Sequence, residues 1–226
     1  TAVTLALLSG VFLLVLGQFV AHPILVLMGA PKNIIHLATL YLRIYFLGMP
    51  FFMLYDFGAS ILRSIGDTRR PMYALIVSGV VNVILNLLFV VVFRMGVAGA
   101  GLATVGANAV SAAQIIYFLM HEELPFRLSF QSLMIDRDAV SKILRIGVPA
   151  GLQGMVFSLA NVCIQSGINS FGSAGIAGSA VELNYEYFAY YLVNAFAQTV
   201  VTFTGQNYGA KNEERCKKIF RLGMMC

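Results

Sequence analysis

This sequence predicts an all-α, polytopic membrane protein, and three features lead there. Of its 226 residues, 59% are hydrophobic and only 11% are charged, against about 25% charged in an ordinary soluble domain. Its mean hydropathy of +0.82 leaves too little polar surface to coat a globule in water. The apolar residues also run in long unbroken stretches: 71–93, 95–120 and 146–181 contain no Asp, Glu, Lys or Arg. A helix needs about 20 mostly apolar residues to cross a bilayer. Alternating barrel strands of about 10 residues do not fit these runs. Lipid also forces backbone groups to pair within their own segment, which leaves helices.

Six spans are expected, at roughly 3–28, 37–62, 71–93, 97–120, 144–170 and 179–205. The first ends near His22 and Pro23. The second is the least clean, with Arg43 toward one end and Asp56 toward the other, but "IYFLGMPFFMLY" between them is apolar enough. The third opens at Pro71. The fourth and fifth are crowded with small residues, "GVAGAGLATVGANAVSAA" and "GVPAGLQGM", which let helices approach closely. The sixth carries "AVELNYEYFAYYLVNAF".

The connections alternate in character. Those at 28–36, 93–99 and 170–178 hold only Lys32 and Arg94, whereas 63–70, 121–145 and 205–221 hold twelve Lys and Arg. The positive-inside rule places the second set in the cytoplasm. The formal charge of +5 is therefore spent on orientation, and no nucleic-acid partner is expected. The stretch 63–70 reads as a tight turn: Gly66 permits the bend, Asp67 closes it locally and Pro71 starts the next helix. Arg63, Arg69 and Arg70 hold it on the inner side. The longest connection, 121–143, divides the chain into four helices (1–120) and a second part (144–226). Within it, "SFQSLM" is expected to lie in the membrane interface, and a helix starts at Asp136 or Asp138. Thr1 in place of Met, and an apolar ending "FRLGMMC", are read as interior points of a longer polypeptide, and no cleavable signal peptide is visible.

Catalysis finds little support. "GVAGAG" has no strand–helix alternation around it, and "GDTRRP" lacks the Gly-Lys end of a phosphate loop. Cys163, Cys216 and Cys226 have no metal-type spacing. No metal set, cofactor or serine–histidine–acid set can be assembled.

The polar residues inside the spans carry the functional expectations. Glu182 and Glu186 are four apart and share a helix face. Carboxylates in lipid face a cavity, a partner or an ion path, which suits cation binding and release, or else they sit at the headgroup level in reach of water. Asn82 and Asn86 repeat the i,i+4 spacing, as do Asn161 and Gln165, with Gln153 on a nearby face. Such amides either join helices or line a polar cavity. Asp56 either pairs with an arginine or holds an ion. Tyr185, Tyr187, Phe188, Tyr190 and Tyr191 either stack on a flat cation or form an aromatic belt.

Four stretches in order resemble the multidrug and toxic compound extrusion (MATE) transporters: "YLRIYFLGMPFFMLYDFGASILRSIGDTRRPMY" (41–73), "NVILNLLFVVVFRMGVAGAGLAT" (82–104), "ILRIGVPAGLQGMVFS" (143–158) and "FAQTVVTFTGQNYGAKNEERCKK" (196–218). The resemblance implies twelve helices in two six-helix bundles. This chain would match helices three to eight and the start of nine, with 1–120 closing the N-terminal bundle, 121–143 as cytoplasmic linker and 144–226 opening the C-terminal bundle. It further implies a multi-pass protein of the plasma (inner) membrane, an antiporter exporting cationic or lipophilic compounds in exchange for H⁺ or Na⁺. Some members use acids on the first, seventh and tenth helices. The matching seventh, 144–170, has no Asp or Glu and offers Gln153, Asn161 and Gln165, so Glu182 and Glu186 are candidates from their own chemistry rather than by family match. A lipid-linked sugar flippase of the wider superfamily and a non-transporting scaffold are the alternatives. A flippase needs cavity arginines, and nearly all arginines here sit in loops. No sequence feature bears on oligomeric state.

Overall fold

The computed structural model describes residues 1–27, 35–122, 128, 135–169 and 172–225. Among these residues the protein is helical, with no strand. The Cα trace divides into two compact units, Thr1–Val140 and Ser141–Cys226. Much of the expected linker 121–143, including "SFQSLM", lies outside the described residues, as do 28–34 and 170–171.

The first unit holds α1 (Ala2–Leu27), α2 (Ile35–Leu47), α3 (Met49–Ser64), α4 (Arg69–Asn86) and α5 (Gly96–Met120), with a π-helical segment, Leu87–Val92, extending α4. Ala2–Val26, Arg69–Val92 and Gly96–Met120 are long and apolar enough to cross a membrane. The chain is a multi-pass membrane protein.

The second expected span, 37–62, is not one straight helix. It breaks into α2 and α3 with a bend of 44°. Pro50 sits in the first turn of α3 and has no N–H, so the α2 ladder cannot continue through it. Phe51 and Phe52 both donate to the Gly48 carbonyl, at 3.1 and 3.0 Å, and restart the helix there. Protein packing around a break of this kind is what lets a membrane helix tolerate it.

α5 packs against α2, α3 and α4, and α1 packs against α2 and α3. Tyr55, Ala59 and Leu62 of α3 meet Ala74 of α4 and Ile115 and Leu119 of α5 in one core cluster. Val3 and Ala6 of α1 join Leu54 and Ala112 in a second. Small residues make these approaches possible: a Cβ on Gly58 would collide with Ile115. By contrast Val80, Val83, Ile84 and Leu87 are exposed, as expected of a face turned to lipid.

A buried hydrogen bond joins α4 and α5 within this packing. Ser78 Oγ donates to the Ala107 carbonyl at 2.7 Å. Ser78→Ala should lower the thermal unfolding midpoint in detergent modestly, since bonds of this kind in membranes average about 0.6 kcal/mol. An unchanged midpoint would show that α4 and α5 are held by packing alone.

The 63–70 stretch forms the turn between α3 and α4. Gly66 adopts φ +93°, a left-handed conformation that suits glycine. Asp67 Oδ1 accepts from the Arg69 and Arg70 N–H groups at 3.0 and 3.1 Å and so caps α4. α4 starts at Arg69, so Pro71 lies within its first turn, buried, with its carbonyl accepting from Tyr55 OH at 3.3 Å. Arg63 Nε donates to the Ala59 carbonyl at 3.2 Å. Arg70 does more than mark orientation. It pairs with Asp67 at 3.0 Å and with Glu122 at the end of α5, and its guanidinium lies 6.0 Å from the Phe118 ring centroid.

Candidate functional site

The second unit contains most of α6 (Arg137–Asn169), together with α7 (Gly172–Gly209) and α8 (Glu213–Gly223). α6 begins inside the expected linker. Asp136 Oδ1 accepts from the Asp138 N–H at 3.0 Å, which caps the helix and sets its start. Its segment Arg137–Asn161 is long and apolar enough to span a membrane. α7 encloses the expected span 179–205 and is the longer of the two, at 38 residues. Its polar residues keep it out of that apolar class. α7 ends where Lys211 turns to φ +57°, and Asn212 then caps α8 by accepting from the Arg215 N–H at 3.1 Å.

A cleft of about 390 Å³ lies along α6 and α7, within the size range of small-molecule sites. Glu182 and Glu186 line it, one helical turn apart, with Asn161 of α6 and Tyr187 and Tyr190 of α7. The i,i+4,i+8 register of Glu182, Glu186 and Tyr190 puts two carboxylates and a phenol in one row. Such a row offers negative charge beside an aromatic face, a surface suited to a cation.

The structure brings only part of the expected set together. Gln153 lies outside the cleft lining, about 12 Å before Asn161 at helical rise. Gln165 lies in α6, and its side chain is outside the described residues. Asn82 and Asn86 belong to the first unit. Asn86 Nδ2 donates to the Asn82 carbonyl at 2.9 Å and to its side-chain oxygen at 3.0 Å, so these amides bond along their own helix. They stand directly before the π-helical segment, and side chains that bond back to a helix carbonyl often disturb the ladder. Of the aromatic group, Tyr187 and Tyr190 line the cleft. Tyr185, Phe188 and Tyr191 are outside its lining and exposed.

Sequence reasoning missed Phe157, Ile164 and Ile168, which form the α6 wall with Asn161, and Ser179, three residues before Glu182. Their signal was the spacing i−4, i+3 and i+7 around Asn161, the stripe of one helix face. Ser179 Oγ is shielded from solvent and has no hydrogen-bond partner among the described residues. It is a free polar group in a cleft that otherwise presents carboxylates and aromatic rings.

Residues 1–88 and 149–226 match the model of the family described as MatE. The chain belongs to the MatE family. Among its relatives is the probable multidrug resistance protein YoeA of Bacillus subtilis (strain 168), 32% identical over 99% of this chain and 50% of that protein. The multidrug export protein MepA of Staphylococcus saprophyticus is 25% identical over 97% of this chain and 48% of its own length. A protein of Shewanella oneidensis named FAD transporter is 28% identical, covering 92% and 47%. The MatE fold is also that of solved structures. A crystal structure of MATE in the bent conformation superposes with a TM-score of 0.87 at 24% identity, over 99% of this chain and 50% of that one. A transporter of the MOP superfamily from Pyrococcus furiosus gives 0.89 at 24% identity, with the same coverage. The chain thus spans about half the length of the MatE relatives it matches.

Proposed function

We propose that this chain is part of a twelve-helix secondary antiporter that exports cationic or lipophilic compounds in exchange for H⁺ or Na⁺ by alternating access. The observation that carries this reading is the cleft with Glu182 and Glu186 in one row beside Asn161, Tyr187 and Tyr190. A carboxylate pair inside a membrane protein is costly unless it serves an ion or substrate path. A coupling cation and an organic cation would compete for the same negative charge, so binding of one releases the other. Family membership and relatives named for multidrug resistance and export support the same activity. Two carboxylates would repel a pyrophosphate, which favours cations over the dinucleotide for which one relative is named.

In this reading the charged connections 63–70, 121–143 and 205–221 face the cytoplasm, and the protein resides in the plasma membrane. Gln165 on α6 serves as a secondary polar group of the transport path, whereas Gln153, outside the cleft lining, and Asn82 and Asn86, bonded along their own helix, take no part in binding. The work is transport rather than catalysis, with a coupling ion and no cofactor.

The test is gradient-driven movement of a cationic dye in inverted vesicles containing the full-length protein. Dye accumulation that collapses when the imposed pH or Na⁺ gradient is dissipated is the expected result, and the gradient that drives it names the ion. Equal dye movement with and without either gradient would reject antiport and leave a scaffold or another transport class.

A further inference from the structure

A second cleft lies in the first unit, and its charged and titratable groups can carry only positive charge. It measures about 280 Å³ and is lined by His22 of α1 and by Ile35, His36, Thr39, Leu40 and Arg43 of α2. It occupies the C-terminal part of α1 and the N-terminal part of α2, the end of the unit opposite the Gly66 turn. No acid lines it. Among the described residues the ion pairs are those of Arg70, so Arg43 has no carboxylate partner there. The nearest acid along the chain, Asp56, is about 20 Å further on at helical rise. Arg43 is exposed, and a charged side chain toward the end of a membrane helix is stabilised by a counter-charge or by reaching water.

The cleft's polar groups are held in place. Gln18 Nε2 donates to the Arg43 carbonyl at 3.1 Å and ties α1 to α2 at that level. Thr39 Oγ1 donates its proton to the Ile35 carbonyl at 2.7 Å. Only lone pairs then remain on Thr39 Oγ1, so His22 Nδ1, 3.4 Å away, takes the donor role toward it. That leaves His22 Nε2 for a ligand. Arg43 supplies a planar fork of donors that matches phosphate oxygens.

We propose that this cleft binds one phosphate group, with Arg43 as the fixed charge, His36 as a flanking donor, and His22 donating from Nε2 when its ring is protonated at both nitrogens. The phosphate belongs either to an acidic phospholipid headgroup or to a soluble phosphate compound. Exposed apolar neighbours, Phe19, Val26 and Leu37, suit an acyl chain beside the headgroup. The site is independent of the Glu182 and Glu186 cleft, so failure of the transport reading does not remove it.

Purified full-length protein in detergent would be titrated with dioctanoyl phosphatidylglycerol, dioctanoyl phosphatidylcholine and inorganic phosphate, with binding followed by native mass spectrometry and by the unfolding midpoint. Phosphatidylglycerol should bind at least about tenfold more tightly than phosphatidylcholine. That advantage should disappear in R43Q and H36Q and survive in R43K, which keeps the charge and guards against misfolding of R43Q. Arg43-dependent binding of inorganic phosphate at equal strength would support the site and assign it to soluble anions. Binding that does not change in R43Q, or no binding of either anion to the folded wild type, would overturn the proposal.

Discussion

Replacing Glu186 with Gln in the full-length protein is expected to cut gradient-driven export of a cationic dye by about tenfold or more, with expression and membrane insertion unchanged. The amide keeps the shape of the side chain but cannot carry negative charge. A tenfold loss corresponds to about 1.4 kcal/mol of lost cation stabilisation, a modest demand on a carboxylate beside a second one. Glu182→Gln should give a partial loss, since its neighbour one turn away retains charge. The double variant should abolish coupling, because no other acid is among the described residues that line the cleft. Gln153→Ala is the control: it lies on α6 outside the lining and should leave export near wild type. Initial rates in inverted vesicles decide the matter, and a double variant that still exports dye down an imposed gradient would remove both carboxylates from the site.

The second large effect concerns stability. A Cβ on Gly10 of α1 would lie 2.6 Å from Pro50 Cα at the start of α3. The obstacle is backbone, held rigid by the proline ring, so it cannot swing aside as a side-chain tip would. Gly10→Ala should therefore separate α1 from α3 where α2 ends and destabilise the fold by about 1–3 kcal/mol, the usual range for overpacking. Gly79→Ala is the paired comparison, because nothing lies within 4 Å of a Cβ there. Unfolding midpoints in detergent should fall for Gly10→Ala and stay level or rise for Gly79→Ala. Equal midpoints would mean that α1 and α3 can part without cost.

Much of this was legible in the chain because lipid imposes strong local rules. The uncharged runs 71–93 and 95–120 became α4 with its π-helical extension and α5 almost residue for residue, since a bilayer admits few alternatives to a helix. The pairing of Glu182 with Glu186 was equally visible, as i,i+4 residues share a face in any helix. The break at Gly48 was harder to see. Pro50 stood in the sequence, but a proline in a membrane helix can kink it, break it or be absorbed, and the choice rests on the neighbours packed around it. The fate of the amides was harder still. Asn82 and Asn86 have the same spacing as Asn161 and Gln165, yet the first pair bonds to itself along α4 while Asn161 lines the cleft. Spacing places two groups on a face and does not say what stands opposite.

Composition and periodicity were thus sufficient for the uninterrupted helices α4 and α5, for the division of charge between the two sets of connections, and for the row of carboxylates on α7, because each follows from contacts within a few residues of the chain. Which of the five ring-bearing side chains from Tyr185 to Tyr191 would share a cleft with those carboxylates was decided only when α6 brought Phe157 and Asn161 alongside. The same holds for Arg70, whose reach to Glu122 spans 52 positions in sequence. Contacts between distant segments depend on how side-chain volumes and polar atoms fit once helices meet, and a linear sequence records the pieces without recording the fit.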